Sequence, residues 1–285
     1  MLAEIITYNL VADTIADFAR ESLLEEVYLT PKPGLVDREN NGSHHDLNLT
    51  VMESSALALR SVFYEMAIVA AHKKPSLQLR EELGAIGRYG ERKMLEATGG
   101  INAHKGAIWS IGLLVAATSI LSSGDYVFTI SNLLNTAGAI ARFDDRYQPS
   151  APSNGKQVSK KYKVVTAREE AALGFPSLSK TALPTWRKYQ NESENICRIN
   201  VLLSLISVVD DTCILHRSDM KVLRMIKQKA KDILDRGGMG IPENQHVYQD
   251  LDDLVRYWWV SPGGSADMLA ASIFIHKVTH HFTIN

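Results

Sequence analysis

Apolar positions recur at helical spacing along almost the whole chain, and no stretch alternates with the two-residue period of a half-buried strand. Leu10, Ile15, Phe18, Leu23 and Val27 form one stripe that ends near Tyr28. Thr30-Pro31-Lys32-Pro33-Gly34 then breaks the helix, because each proline pushes its predecessor out of the α region. Leu49, Met52, Ala56, Leu59, Phe63 and Met66 predict a second long helix, ended by Pro75 at the latest. A third is expected from about 77 to 97, stopping at Gly99-Gly100, and a fourth from about 104 to 121. Gly124-Asp125 turns into a fifth, carrying Val127, Ile130, Leu133, Leu134 and Ile140. Further helices are expected over 167–173, 192–215, 219–235, 243–258 and 266–280. Between 146 and 163 the pattern lapses: Pro149, Pro152, Gly155 and several lysines predict an exposed basic loop. The fold class is therefore all-α, a single-domain helical bundle over residues 1–285 with long functional loops.

Composition narrows the partners. Apolar content of 45% and charged content of 22% are ordinary for a globular chain. A net charge of −1 supplies no bulk attraction for nucleic acid or anionic lipid, so neither is expected as a partner. Glu4, Asp13 and Asp17 interrupt the apolar N-terminal stretch, which argues against a secretory leader. The apolar runs 111–121 and 201–209 are too short to span a bilayer. Cys197 and Cys213 fall within one expected helix, about 24 Å apart along its axis, beyond the ~7 Å Cα limit of a disulfide. Unbridged thiols fit a cytoplasmic location.

Five segments could carry chemistry. Thr98-Gly-Gly-Ile-Asn-Ala-His-Lys-Gly106 sets glycines and polar groups before an apolar helix. It reads either as a phosphate cradle at a helix N-terminus or as an ordinary helix junction. The segment 30–46 gathers Lys32, Asp37, His44, His45 and Asp46, which are general-base and metal-ligand types, or a solvated loop in which Asp46 caps the next helix. Glu91 lies seven residues before Thr98, on one helical face with it, where a carboxylate could meet Mg²⁺ and phosphate. Arg168 follows the basic segment, and guanidinium recognises phosphate bidentately. Asp210-Asp211 and Arg217 lie at the end of an apolar helix, and Gly263-Gly264-Ser265 opens the last one, suited to an anion or capped by Ser265 or Asp267. Walker, Rossmann and GxSxG motifs are absent.

Taken in order, LTPKPGLVDRENNGSHHDL, GERKMLEATGGINAHKGAIWSIGLL, AREEAALGFPSL, DDTCILHR and SPGGSADMLAA resemble the triphosphoribosyl-dephospho-coenzyme A synthases. LVDRENNGSHHDL, EMA, GAIW and DDTCILHR are most similar to the malonate decarboxylase branch rather than the citrate lyase branch. Ala103, Thr166, Ser218 and Asp219 depart from the family pattern. The resemblance implies transfer of the triphosphoribosyl group of ATP to the 2′-hydroxyl of 3′-dephospho-CoA with release of adenine. The product would be passed on for attachment to an acyl carrier protein subunit. Under this reading Asp37 or His44 is the base, and His104 belongs to the catalytic set. Gly99, Gly100, Asn102, His104 and Lys105 hold the triphosphate, with Lys32, Arg168, Arg217, Gly263, Gly264 and Ser265 in the substrate site. Glu91, Asp210 and Asp211 would hold Mg²⁺. A homodimer is left open. The more distant alternatives are a Mg²⁺-dependent helical nucleotide phosphohydrolase and a non-enzymatic helical scaffold.

Overall fold

The first helix, α1 (Leu2–Tyr28), turns Ala12, Ile15, Ala16, Ala19, Leu23 and Val27 inward at three- and four-residue spacing. Leu10, on the expected stripe, instead faces solvent. The structure is a computed structural model that describes residues 2–149 and 153–283. Helix α2 (Leu49–Ala70) packs along α1 and is capped by Asn48, not Asp46: the Asn48 side chain accepts the Val51 N–H at 3.0 Å. It seals Leu59, Phe63 and Met66 in the core, each worth about 1.5–3 kcal/mol of burial. Helix α3 (Leu77–Ala97) lies on α2 and ends at Thr98, whose hydroxyl donates to Met94 O at 2.8 Å.

Helix α4 (Lys105–Ser123) runs through the centre, in contact with α1, α2, α3 and the last helix. Among the described residues it is the helix long and apolar enough to cross a membrane, but 78% of that stretch is buried inside the protein. Its apolarity is that of a core helix packed on every side. Helix α5 (Ile130–Ala141) starts later than expected, leaving Val127 in solvent.

The basic segment 146–163 is not simply a loop. Ser153 caps a helix, α6 (Asn154–Tyr162), which buries Val158; Lys163 closes it in the left-handed region. The Tyr162 hydroxyl donates to Ser218 O at 3.2 Å. One buried valine was too faint an apolar signal to mark this helix in the sequence. Thr166 and Glu169 then form a reciprocal capping box that starts α7 (Ala167–Ala172). A π-helical turn, Leu178–Ala182, leads into α8 (Leu183–Tyr189).

The helix expected over 192–215 is two. Helix α9 (Glu194–Val208) ends at extended Val209, and Asp211 caps a short α10 (Thr212–Arg217). A buried carboxylate must find donors, and the free N–H groups of a new helix turn supply them. Asp210 and Arg217 therefore do not share a helical face, and the cysteines sit on different helices; both remain free thiols. Asp219 caps α11 (Met220–Asp235), accepting from Lys221 N–H at 2.8 Å and Val222 N–H at 3.0 Å. Two departures from the family pattern, Thr166 and Asp219, are thus local helix caps. A 3₁₀ turn, Pro242–Asn244, precedes α12 (Gln245–Tyr257), and α13 (Gly263–Thr283) returns against α1, α4 and α9. Among the described residues there are no strands, and the protein is a single helical domain.

Candidate active site

One cleft of about 1870 Å³ opens where the 30–47 loop, α3, the start of α4, α6, α7, α10 and the start of α13 converge. The loop is shaped by its own polar groups. Asp37 Oδ2 accepts the Lys32 N–H at 2.9 Å, and Oδ1 accepts those of Glu39 at 2.8 Å and Asn40 at 3.0 Å. Gly42 packs so closely on Gly34 that a β-carbon would lie 2.4 Å from Gly34 O. Arg217 of α10 ties the loop down, donating to Ser43 O at 2.9 Å and facing His44 Nδ1 at 3.3 Å.

The floor of the cleft holds a charge cluster in which Glu26, Lys32 and Asp211 are buried and Asp267 is half-buried. Lys32 Nζ donates to Glu26 Oε1 and to Glu26 O, each at 2.6 Å. Asp211 takes donors on both oxygens: Cys213 N–H at 2.9 Å and Ile214 N–H at 3.4 Å on Oδ1, Ser265 N–H at 2.9 Å and Ser265 Oγ at 3.1 Å on Oδ2. It thereby caps α10 and α13 together. Asp267 lies against the first turn of α4, where it accepts the Ala107 N–H. A β-carbon on Gly106 would sit 1.9 Å from Asp267 Oδ2, so any side chain there would displace the Asp267 carboxyl. Burial raises the carboxyls of Glu26, Asp211 and Asp267 above the usual range, and the neighbouring carboxylates Glu26 and Asp211 push Asp267 further.

His104 sits beside this cluster. Its Nδ1 is 2.7 Å from Ser55 Oγ, while its buried Nε2 has no hydrogen-bond partner. Burial, then the Lys32 charge, hold its pKa down to about 3; burial and Arg217 hold His44 to about 4. Both imidazoles are neutral near pH 7. An unfolded histidine titrates near 6.5. Between that value and the folded pKa the unfolded chain binds more protons, so the histidine contribution is complete above 6.5 and is lost as pH falls through about 4 and about 3. The raised carboxyls Glu26, Asp211 and Asp267 act oppositely, favouring the fold as pH falls below their folded values. His104→Gln should therefore flatten the acid-side loss of stability by up to about 1.4 kcal/mol per pH unit below pH 6. Urea unfolding at pH 6, 5 and 4 measures this; an unchanged slope would show that His104 does not stay neutral.

The structure brings together Lys32, His44, Glu91, Asn102, His104, Lys105, Arg168, Asp210, Asp211, Arg217, Gly263 and Gly264 on the cleft wall. Asp37, Gly99, Gly100 and Ser265 are not on it. Asp37 holds the loop with both oxygens. Gly99 and Gly100 carry the exposed turn out of α3. The two helix N-termini read as anion cradles already hold the protein's own carboxylates, Asp267 on α4 and Asp211 on α13. Lys32 is committed to Glu26.

The expected metal ligands are likewise committed. Glu91 pairs with Lys105 at 2.8 Å and Asp210 with Lys227 at 2.7 Å, and four donors fill the lone-pair positions of Asp211. No group of three or more His, Cys, Asp or Glu side chains that could hold a metal ion occurs among the described residues. The residues present do not fit a preformed Mg²⁺ cage.

Sequence reasoning missed Glu26, Arg80 and Asp267 as site residues. Each did carry a signal: Glu26 interrupts the buried stripe between Leu23 and Val27, Arg80 falls on the buried face with Leu79 and Leu83, and Asp267 lies among buried Ala266 and Met268.

An all-helical domain with a charge-lined cleft larger than the roughly 300–1,000 Å³ of a single small-ligand pocket has the form of an enzyme for a bulky, polar substrate. Residues 12–285 match the family described as ATP:dephospho-CoA triphosphoribosyl transferase. A probable 2-(5''-triphosphoribosyl)-3'-dephosphocoenzyme-A synthase of Pseudomonas fluorescens is 40% identical over 278 residues, covering 96% of this chain and 94% of that protein. The 2-(5''-triphosphoribosyl)-3'-dephosphocoenzyme-A synthase of Klebsiella pneumoniae is 38% identical over 266 residues, covering 93% and 94%. No solved structure matches the chain. The chain belongs to the ATP:dephospho-CoA triphosphoribosyl transferase family. It is an enzyme, a transferase, with the activity of a triphosphoribosyl-dephospho-CoA synthase; ATP and dephospho-CoA fit the family as substrates.

Proposed function

We propose that this enzyme makes the prosthetic-group precursor of a malonate decarboxylase, acts in the cytoplasm, and hands its product on for attachment to an acyl carrier protein subunit. The observation that carries the branch is the malonate-type wording of the two segments that meet at the cleft mouth. LVDRENNGSHHDL and DDTCILHR join there through Arg217, Ser43 and His44. Mg²⁺ would arrive as the ATP complex rather than wait in a protein-built cage, since it is commonly held by phosphates with few protein ligands.

The reaction forms a bond between the 2′-oxygen of dephospho-CoA and the anomeric carbon of the ATP ribose. The bond from that carbon to adenine breaks, its electron pair staying with the base. The hydroxyl must lose a proton and adenine must leave carrying one. Asp267 is the proton-transfer group of this reading. It faces the cleft, its raised carboxyl is better matched to an alcohol proton than an ordinary one, and Glu26 and Asp211 add negative charge where the ribose turns oxocarbenium-like. His104 Nε2, which has no hydrogen-bond partner in the fold, is the group this reading assigns to hydrogen-bond the departing base. His44 is the weaker base, held at about 4 and facing Arg217.

Purified protein given ATP, Mg²⁺ and dephospho-CoA should yield free adenine and a conjugate of the summed mass in equal amounts. Adenine without conjugate would mean hydrolysis, phosphate release a phosphohydrolase, and no product a scaffold. Chromosomal neighbours encoding citrate lyase subunits rather than malonate decarboxylase would overturn the branch.

A further inference from the structure

Two of the charge sets in and beside the cleft share no member. Glu26, Lys32, His104, Asp211 and Asp267 form the acidic one. Arg80, Arg88, Lys156 and Arg168 form the other, with the carboxylates Asp144, Asp145 and Glu169, and with Glu81, which Arg146 holds, beside Arg80.

Arg80 is the unusual member. It projects from α3, is only 5% exposed, and lays its guanidinium over the Trp109 indole at 4.8 Å. Its acidic partner, Asp145 Oδ2, is 3.6 Å away and is held by Arg88 at 2.6 Å. The Arg80 Nε has no partner at all. A guanidinium cannot shed its proton in a protein, so a buried one whose counter-ion, Asp145, is shared with Arg88 is only partly neutralised. Arg168 reaches the same region from α7, and its ion-pair partner, Asp144, is largely exposed and easily displaced.

We propose that Arg80, Arg168 and Lys156, beside Trp109, form the polyphosphate subsite, holding the triphosphate of ATP so that its ribose points toward Asp267 and Glu26. The inference rests on the triphosphoribosyl-transfer reading for the identity of the ligand, but its geometry is independent of it. The glycine segment before α4 is then not the phosphate cradle. Asp267 already occupies that helix end, and a triphosphate there would meet Glu26, Asp211 and Asp267 at once. With the triphosphate at the cationic end, positive charge developing on the ribose falls beside carboxylates.

Dephospho-CoA also carries linked phosphates, so the test separates the sources. Binding of inorganic tripolyphosphate, ATP and dephospho-CoA is measured by calorimetry on wild type, Arg80→Gln, Arg168→Gln and Lys105→Gln. Loss of a charge-assisted contact should raise the dissociation constants of tripolyphosphate and ATP roughly tenfold or more in the first two variants. Dephospho-CoA should bind as before, and Lys105→Gln should leave tripolyphosphate binding intact. The half-exposed Arg168 keeps the test alive if Arg80→Gln fails to fold. Unchanged tripolyphosphate binding in Arg168→Gln and in folded Arg80→Gln, loss in Lys105→Gln instead, or loss confined to dephospho-CoA would each overturn the subsite. A wild type that binds tripolyphosphate through Arg80 yet releases no adenine would support the subsite while removing the transfer reading.

Discussion

Asp267→Asn should lower the single-turnover rate of adenine release by about 10²- to 10⁴-fold, the usual weight of a proton-transfer group, while leaving the fold intact. The asparagine is isosteric, and its carbonyl can still accept the Ala107 N–H at the start of α4. A purely structural role would give the opposite pattern. Replacing one of three crowded carboxyls by a neutral amide removes repulsion from Glu26 and Asp211, so thermal stability at neutral pH should not fall. ATP binding, measured without turnover, should change little. Chemistry within a few-fold of wild type in a stably folded variant would take Asp267 out of the proton path.

Lys32→Met should be the most destabilising single change at this site, by about 3–5 kcal/mol, because it leaves the Glu26 carboxylate buried without its counter-ion. Lys32 and Glu26 are almost wholly buried, their ion pair is 2.6 Å long, and Lys32 is the basic partner of Glu26. Removing the lysine should also drive Glu26 toward its protonated form, so the variant should recover stability as pH falls, through and below the raised Glu26 pKa. Adding Glu26→Gln should restore much of the loss, since a neutral pair no longer needs the charge. Chemical denaturation of the single and double variants over pH 5 to 8 reads both effects. A single variant as stable as wild type would show that the pair is solvated rather than buried.

Much of the helical frame was legible in the chain. The stripes of α1, α2, α3 and α4 follow from Ile15, Leu23, Leu59, Phe63 and the apolar run after Lys105, because burial of one face is what stabilises a helix in water. Where the apolar pattern was weak or continuous, the reading failed. Helix α6 rests on a single buried valine and a serine cap, and the break between α9 and α10 is set by Asp211 reaching Ser265 at the head of α13.

The site divides the same way. Residue type and order placed His44, His104, Arg168, Asp211 and Arg217 in one functional set, and all five line one cleft. Sequence alone also determined the family, through segments whose collinear order does not depend on how they pack. It could not determine which charges meet. Whether Asp267 caps α4, whether Asp37 turns inward on its own loop, and whether Arg80 shares its counter-ion with Arg88 depend on contacts between residues up to 160 positions apart. Electrostatic roles follow burial and distance, and only the tertiary structure fixes those.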